Sequence, residues 1–429
     1  MWWLAIPVIV YSLGLLALWF ILVRHSKGTS AGDEGLAEGR TAAGTPVDEG
    51  LSEVSAVADT PFDAALPKVS VVVAARNEEK HLPALLESLV LQDYPAELLE
   101  VIIVNDNSTD RTPIVVSGFI SGRRDQPGPL IRLIYNPFSG KKKAVRHGIE
   151  KAAGMIILTT DADCNAGPEW VRSHAEWYLS GFSGRSEADS RLQAEGSSSG
   201  EKQRRATCRG GDPDMVMASV FQVPIRGFWS LFDVYEFSAL QALTEATALA
   251  GHPVMCNAAN MSFRRDVYLR YAGELRPDLP SGDDMFLLEA VMRGGGAVRH
   301  DGRMAAAVET AGAVTAAAML RQRARWASKA LHLRGAPTLI LAAATAACNA
   351  AVTAAAVTAC ISVEYMPLAA AIYAVKAVPD YLLIAGEVIK RGNRIKAVPF
   401  LVSEIIYPFW FMVVALMSLI PGSGGFRGR

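Results

Sequence analysis

Met155-Ile156-Ile157-Leu158-Thr159-Thr160-Asp161-Ala162-Asp163 sets an apolar run directly against two carboxylates. The run from Met155 to Thr159 is short, aliphatic and rich in β-branched residues, the composition of a strand buried on both faces in a parallel sheet. Asp161 and Asp163 follow at its carboxyl end, and in extended chain positions i and i+2 project to the same side. Two hard oxygen donors on one side suit Mg²⁺ or Mn²⁺, which complete their shells with further oxygens such as those of a diphosphate. An isolated Asp-x-Asp is most simply an acidic turn. Its place after an apolar strand raises the metal-binding reading above that.

Upstream the same alternation repeats. Val69 to Ala74, Leu99 to Val104 and Ile131 to Tyr135 are three more strand-like runs. Glu78 to Leu91 shows helical spacing through Leu82, Leu85, Leu86 and Leu89, and Lys143 to Ala153 reads as a second helix. Strand–helix alternation implies a doubly wound, mostly parallel α/β sheet, whose ligands sit outside the carboxyl ends of the strands. Arg76-Asn77-Glu78, Asn105-Asp106-Asn107 and Asp161-Ala162-Asp163 all fall at such ends. Asp106 can accept from a ribose hydroxyl or a base, whereas Asn107, Ser108 and Asp110 suit a turn and the cap of the next helix. Gly140-Lys141-Lys142-Lys143-Ala144 puts cations ahead of a helix, where one can reach a phosphate, although a solvated basic turn is the default reading.

Further along, Ser281-Gly282-Asp283-Asp284-Met285 offers a second acidic pair. Separate acids for metal and for general base would fit the two pairs. Gln322-Arg323-Ala324-Arg325-Trp326 combines amide, guanidinium and indole, suited to a diphosphate and to stacking on a sugar, or to anchoring at a membrane surface.

Hydrophobic residues make up 51% of the chain, near the top of the globular range, and both ends carry long apolar runs. Trp2 to Val23 is uncharged and close to the roughly 20 residues that cross a bilayer. It lacks the basic start and cleavage site of a signal peptide, so it reads as an uncleaved anchor. Arg24, His25 and Lys27 place its downstream end in the cytoplasm. Pro337 to Val363, Pro367 to Ile389 and Val398 to Ile420 are three further spans. Lys376 and Asp380, four residues apart, are expected to neutralise each other and to face protein rather than lipid. Lys390, Arg391, Arg394 and Lys396 form a basic, cytoplasmic loop. Four crossings would leave Arg427 and Arg429 on the opposite side, unless the last helix is re-entrant or interfacial. The resulting organisation is an anchor (1–24), a flexible linker (25–67), a catalytic domain (68–334) with a Ser/Gly/Arg-rich insertion at about 180–214, and membrane helices (335–429).

Lys+Arg 42 against Asp+Glu 43 gives a net charge of −1, which does not point to nucleic acid. Five cysteines without metal-ligand spacing read as free thiols in a reducing compartment.

In this order, Arg76-Asn77-Glu78, Asp106, Gly140-Lys141, the Asp-x-Asp, a late Asp-Asp and Gln-x-x-Arg-Trp resemble the family 2 glycosyltransferases of the GT-A fold. The resemblance is to their membrane-bound branch, related to cellulose, hyaluronan and ceramide-sugar synthases, and covers about Lys68 to Lys329. It implies that Asp106 contacts the nucleoside, that Asp163 with Asp161 holds the metal–diphosphate, and that Asp284 is the general base, with Asp283 the other candidate. Arg76, Glu78 and Lys141 would line the donor site, and Gln322, Arg325 and Trp326 would close over diphosphate and acceptor. This sequence has Asn105 where the family often has Asp, Ala258-Ala259-Asn260 for Gly-Ala-Asn, and Asp283-Asp284 for Glu-Asp.

The expected activity is therefore inverting transfer from a UDP- or GDP-sugar to a lipid, lipid-linked or glycan acceptor, with membrane lipids around it in a bacterial cell membrane. A processive polysaccharide synthase is the alternative, which so few spans disfavour. A non-catalytic assembly subunit and a nucleotidyltransferase are further ones. The acids argue against the former, and the late Asp-Asp and Gln-x-x-Arg-Trp have no use in the latter.

Overall fold

In the computed structural model the described residues are 2–38, 66–179, 212–223, 225–276, 279, 282–313, 315–330 and 332–420. Most of the expected linker, insertion residues 180–211, Cys208, Ser281, Arg427 and Arg429 lie outside them.

The strands are β1 (Val69–Ala75), β2 (Leu99–Asn105), β3 (Leu130–Tyr135), β4 (Ile156–Thr159), β5 (Cys164–Ala166), β6 (Met215–Ala218), β7 (Val220–Val223), β8 (Met261–Arg264), β9 (Val298–Asp301) and β10 (Val308–Ala311). The helices are α1 (Ala5–Glu38), α2 (Leu82–Val90), α3 (Thr112–Gly122), α4 (Lys141–Lys151), α5 (Trp170–Glu176), α6 (Gly227–Leu249), α7 (Arg265–Tyr271), α8 (Asp283–Arg293), α9 (Ala316–Ala330), α10 (Ala336–Ile361), α11 (Met366–Lys390) and α12 (Ala397–Ser418).

A seven-stranded sheet has the order β3-β2-β1-β4-β8-β6-β9. β1 to β4 pair in parallel, β8 runs antiparallel to β4 and β6, and β9 is parallel to β6. The fold class is thus mixed α/β with a central, mostly parallel sheet. β1 and β2 are apolar on both faces because helices cover both, as parallel sheets require. Glu100 is an exception inside β2. Its buried carboxylate accepts from Ser70 Oγ and from the Ala153 and Gly154 amides, tying the turn after α4 to the sheet. A three-stranded sheet, β5-β10-β7, lies beyond the Asp161–Asp163 turn.

Several expected boundaries move. α2 begins at Leu82 rather than Glu78, because residues 78–81 form a turn whose amides are taken by Thr112 Oγ1 and Asp110. α4 starts at Lys141, directly on Gly140, rather than at Lys143. α1 runs on to Glu38, so the beginning of the expected linker is helical.

Four helical stretches, Trp2–Ser26, Ala336–Ile361, Val363–Lys390 and Ala397–Ser418, are long and apolar enough to cross a membrane. Small side chains on α10, including Ala351, Ala355 and Ala359, meet Leu4, Val8 and Ile372, and such residues let helices approach closely in lipid. α6 joins this bundle to the sheets. Its Phe232 packs with Met319 and Trp410, its Tyr235 with Ile384 and Phe400, and its Ala242 with Leu15 and Leu383. Lys376 Nζ lies 2.5 Å from Asp380 Oδ2, as the spacing predicts, and also 2.7 Å from Glu404 Oε2 on α12. The pair is a triad.

Candidate active site

The first two strand ends are sewn together by their own polar residues. Asn77 and Asn107 take left-handed φ values of 58° and 56°, a region Asn tolerates better than most residues. The Thr109 amide donates to Asn77 Oδ1 at 2.8 Å, and Asp110 accepts from the Thr112 amide at 2.9 Å. The turn-forming role expected for Asn107, Ser108 and Asp110 is what this network shows.

Asp106 is buried, and its Oδ1 accepts from Asn136 Nδ2 at 2.7 Å. The Gly140 amide donates to both its oxygens, at 3.0 and 3.1 Å. Asp106 therefore fixes the loop that delivers Lys141 while still lining the cavity described below. Gly140 has a φ of 109°, a backbone conformation that favours glycine. Arg76 is exposed at the cavity rim, and the Glu78 carboxylate meets His81 Nδ1 at 2.8 Å.

Asp161 and Asp163 stand on a turn at 162–163 rather than on extended chain, yet both line the same cavity. Their convergence comes from the turn and not from strand alternation. Lys141 Nζ lies 2.5 Å from Asp161 Oδ1. Partial desolvation alone would lower the pKa of Lys141, which is half-buried. The charge of Asp161, followed by those of Asp283 and Asp284, reverses this and holds the ammonium protonated. Lys141 thus belongs electrostatically to both acidic pairs. Lys142 also lines the cavity, but its ammonium is taken up by the Leu275 and Arg276 carbonyls at 2.7 and 2.9 Å.

Asp283 and Asp284 open α8, where the helix dipole favours negative charge. Asp283 is the more buried, and desolvation, then the Asp284 charge, raises its pKa against the pull of Lys141, Lys329 and Lys142. Asp284 faces the cavity with Oδ1 on the Met285 amide at 2.9 Å and Oδ2 3.4 Å from the Ala258 amide.

α9 brings Gln322, Arg325 and Trp326 to the cavity wall. The motif depends on Arg323, which the sequence reading left without a role. Arg323 is buried, ion-pairs with Asp233 and, at 3.0 Å, with Glu236, lies 4.3 Å from the Trp326 ring centroid and donates to Gln322 Oε1 at 2.7 Å. It orients two motif residues and clamps α9 to α6. A second keystone is Asn260, which the sequence singles out only as the last residue of Ala258-Ala259-Asn260. It accepts from Trp170 Nε1 at 2.9 Å, meets His174 Nε2 at 3.0 Å, and donates to the Ser219 and Ala306 carbonyls at 2.7 and 2.8 Å. The available signals were a Trp and a His at helical spacing in Trp170–His174 and a buried Asn ahead of an apolar strand, neither of them specific.

A single cavity of about 1100 Å³ gathers Arg76, Glu78, Asp106, Lys141, Asp161, Asp163, Asp283, Asp284, Gln322, Arg325 and Trp326. It continues between the apolar helices to Asp380 and Glu404. Among the described residues no three His, Cys, Asp or Glu side chains form a cage for a metal. Two carboxylates before an open cavity nevertheless fit a hard octahedral cation, provided that ligand oxygens complete its shell.

The curated relatives with measurable similarity include the beta-monoglucosyldiacylglycerol synthase of Synechocystis, 32% identical over 26% of this chain and 22% of that protein. They also include an undecaprenyl-phosphate 4-deoxy-4-formamido-L-arabinose transferase of Pectobacterium carotovorum, 30% identical over 26% of this chain and 34% of that one. The chain spans only about a fifth to a third of the length of these relatives. Among solved structures, the mannosyltransferase PcManGT of Pyrobaculum calidifontis in complex with GDP-Man and Mn²⁺ aligns over 96% of this chain and 99% of its own, at 18% identity and a TM-score of 0.49. Residues 70–184, which carry the first three strand ends, Lys141 and the Asp161–Asp163 turn, match Glycosyl transferase family 2.

Proposed function

We propose that the chain is a membrane-embedded glycosyltransferase that moves a sugar, with inversion, from a UDP- or GDP-sugar to a lipid, lipid-linked or glycan acceptor. The observation that carries this reading is the convergence of both acidic pairs and the Gln322–Trp326 segment on one cavity. The family match of residues 70–184 supports it. The names of the two relatives, one a diacylglycerol glycoside synthase and one a polyprenyl-phosphate transferase, support an acceptor borne on a lipid.

The donor's nucleoside would sit against the β1 and β2 ends, beside Arg76, Glu78 and the outer edge of Asp106. Asp161 and Asp163 would hold Mg²⁺ or Mn²⁺, which offsets the charge of a leaving diphosphate. Lys141 and Arg325 add positive charge at the same place, and Gln322 offers an amide. Asp284 accepts the acceptor hydroxyl proton as that oxygen bonds to the anomeric carbon and the bond to diphosphate breaks. Burial, and then the charge of Asp284, raises the pKa of Asp283, so Asp284 is the better placed of the two to take that role. Trp326, steadied by Arg323 and by Phe237 at 6.1 Å, offers a face to the acceptor sugar.

The basic loop after α11 supports a cytoplasmic catalytic domain. Lys390 pairs with Glu245 of α6, and the Lys396 amide donates to the Tyr235 hydroxyl at 3.1 Å, so the loop lies on the catalytic side of the bundle.

The test is turnover of UDP- and GDP-sugars by the purified full-length protein with Mn²⁺ and membrane lipid. Asp163→Ala should bring transfer below detection with an unchanged melting temperature. Full activity in that variant would overturn the metal assignment.

A further inference from the structure

The face that α9 turns to the cavity extends one helical turn beyond Arg325. Gln322, Arg325, Trp326 and Lys329 recur at helical spacing, so they share one face, and all four line the cavity. The stem of Lys329 lies against Gly282, the residue before the Asp283–Asp284 pair. A methyl placed on Gly282 would sit 3.3 Å from Lys329 Cδ, 3.6 Å from its Cγ and 3.1 Å from Phe286 Cε2. Gly282 also has a φ of 96°, so both backbone and space call for glycine there. The lysine thus crosses from the last turn of α9 to the first turn of α8. Each helix end carries the charge that its dipole favours.

Neighbouring elements face the acid pair with Lys141 and Lys142 of α4, the Tyr268 hydroxyl of α7, the Cys256 thiol between α6 and β8, and Lys329. Of these groups, the three lysines favour charged carboxyls at the pair. Two of them are engaged elsewhere. Lys141 sits on Asp161, and Lys142 donates to the Leu275 and Arg276 carbonyls. Half-buried Lys329 is different: among the described residues its ammonium has no ion-pair or hydrogen-bond partner. If Lys141 is drawn to the donor, Lys329 is the cation that stays with the pair.

We infer that Lys329 is a positioning residue for transfer. Laid across Gly282 by the helix that carries Gln322, Arg325 and Trp326, its ammonium keeps the Asp283–Asp284 pair charged and ready to take the acceptor hydroxyl proton. This role rests on the transferase reading and links two parts of that site: the base is ready only when α9 is seated.

The test compares wild type, Lys329→Met and Lys329→Arg as full-length proteins in lipid, with Mn²⁺ and the UDP- or GDP-sugar that the wild type turns over. Lys329→Met should move the acid limb of kcat up by about one pH unit, the weight of one nearby opposite charge, and so lower kcat on that limb about tenfold. Donor KM should change by less than about twofold. Lys329→Arg should restore the wild-type profile. An acid limb that stays in place in Lys329→Met overturns the inference. So does a loss that falls on donor KM alone, which would make Lys329 a diphosphate ligand. Lys329→Gln takes the place of the methionine variant if that does not fold.

Cys256 gives a reading that needs no turnover. Burial, then the charges of Asp284 and Asp283, raises its thiol pKa, and Lys329 pulls the other way. Alkylation of Cys256 by iodoacetamide at about pH 9, followed by peptide mass spectrometry, should slow about three- to tenfold in Lys329→Met and recover in Lys329→Arg. Equal rates in all three proteins would overturn the inference. Slower alkylation in a protein that turns over no nucleotide sugar would sink the transferase reading and leave the link between Lys329 and the acid pair standing. Turnover with coincident acid limbs would sink this role alone.

Discussion

Lys141 Nζ lies 2.5 Å from Asp161 Oδ1, so the ammonium already covers one of the two carboxylates that a divalent cation would need. A metal held by Asp161 would displace Lys141, whose ammonium would then be available to a diphosphate. Both side chains are about one-third exposed, at 36% and 34%, so solvent keeps the pair weak. Lys141→Met should therefore tighten binding of Mn²⁺ alone by about two- to fivefold, the range of an exposed ion pair, while raising the donor KM. Calorimetry with Mn²⁺ in the absence of nucleotide checks the first half. Weaker metal binding in the variant would mean that Lys141 does not compete for Asp161.

Asp283 and Asp284 should separate by substitution. Asp284→Asn is expected to lower kcat by about 10²- to 10⁴-fold, the usual worth of a general base, with little change in donor affinity. Asp283 has its pKa raised by burial and then by Asp284. The folded state therefore holds that proton more tightly than the unfolded chain, and stability falls as pH rises from the ordinary carboxylate range through the higher folded value. Asp283→Asn should raise the melting temperature at pH 7 to 8 and leave it unchanged near pH 3. A lower melting temperature at neutral pH would show that the charge is compensated.

The opposite sign applies to His174 and His300. Burial, the largest influence on each, brings both to about 4. The unfolded chain binds these protons first, so their contribution to stability is complete above about 6.5 and is lost as pH falls toward 4. His174→Gln should flatten the acid limb of a melting-temperature profile between those values. An unaltered slope would place the acid sensitivity elsewhere.

Arg323→Met would leave Asp233, which is 0% exposed, without its charge partner. Breaking a buried pair from one side costs about 3–5 kcal/mol, so the variant should unfold well below the wild type. Adding Asp233→Leu should recover only part of that stability, because Glu236 stays without its partner, and should not recover transfer, because Gln322 and Trp326 remain unsupported. Recovery of both would reduce Arg323 to a purely structural role.

Gly154→Ala would push a methyl to 2.5 Å from the Ser70 amide nitrogen, and Gly148→Ala would bring one to 2.5 Å from Val72 Cγ1. The first clash is with the backbone at the start of β1, and the second is with the side chains of two buried valines, Val72 and Val104. Gly154→Ala should therefore be the more damaging, within or above the roughly 1–3 kcal/mol typical of overpacking. Equal melting temperatures for the two would contradict this close approach.

Local pattern alone determined a good deal. The four apolar runs, the first four strands and the polar clusters at their ends follow from periodicity and composition, which act over a few neighbouring residues. The four-residue strands β6 to β9 carry no such signal, and the long helix α6 reads locally as an unremarkable apolar stretch. Tertiary structure decided which polar groups are occupied by the protein itself. Asp106 is held by Gly140, Asp233 and Glu236 by Arg323, Asn260 by Trp170 and His174, and Lys376 by Glu404 as well as by Asp380. Most of these partners lie tens of residues apart. A hydrogen bond depends on distance and direction in space, and a linear chain specifies those only once it has folded.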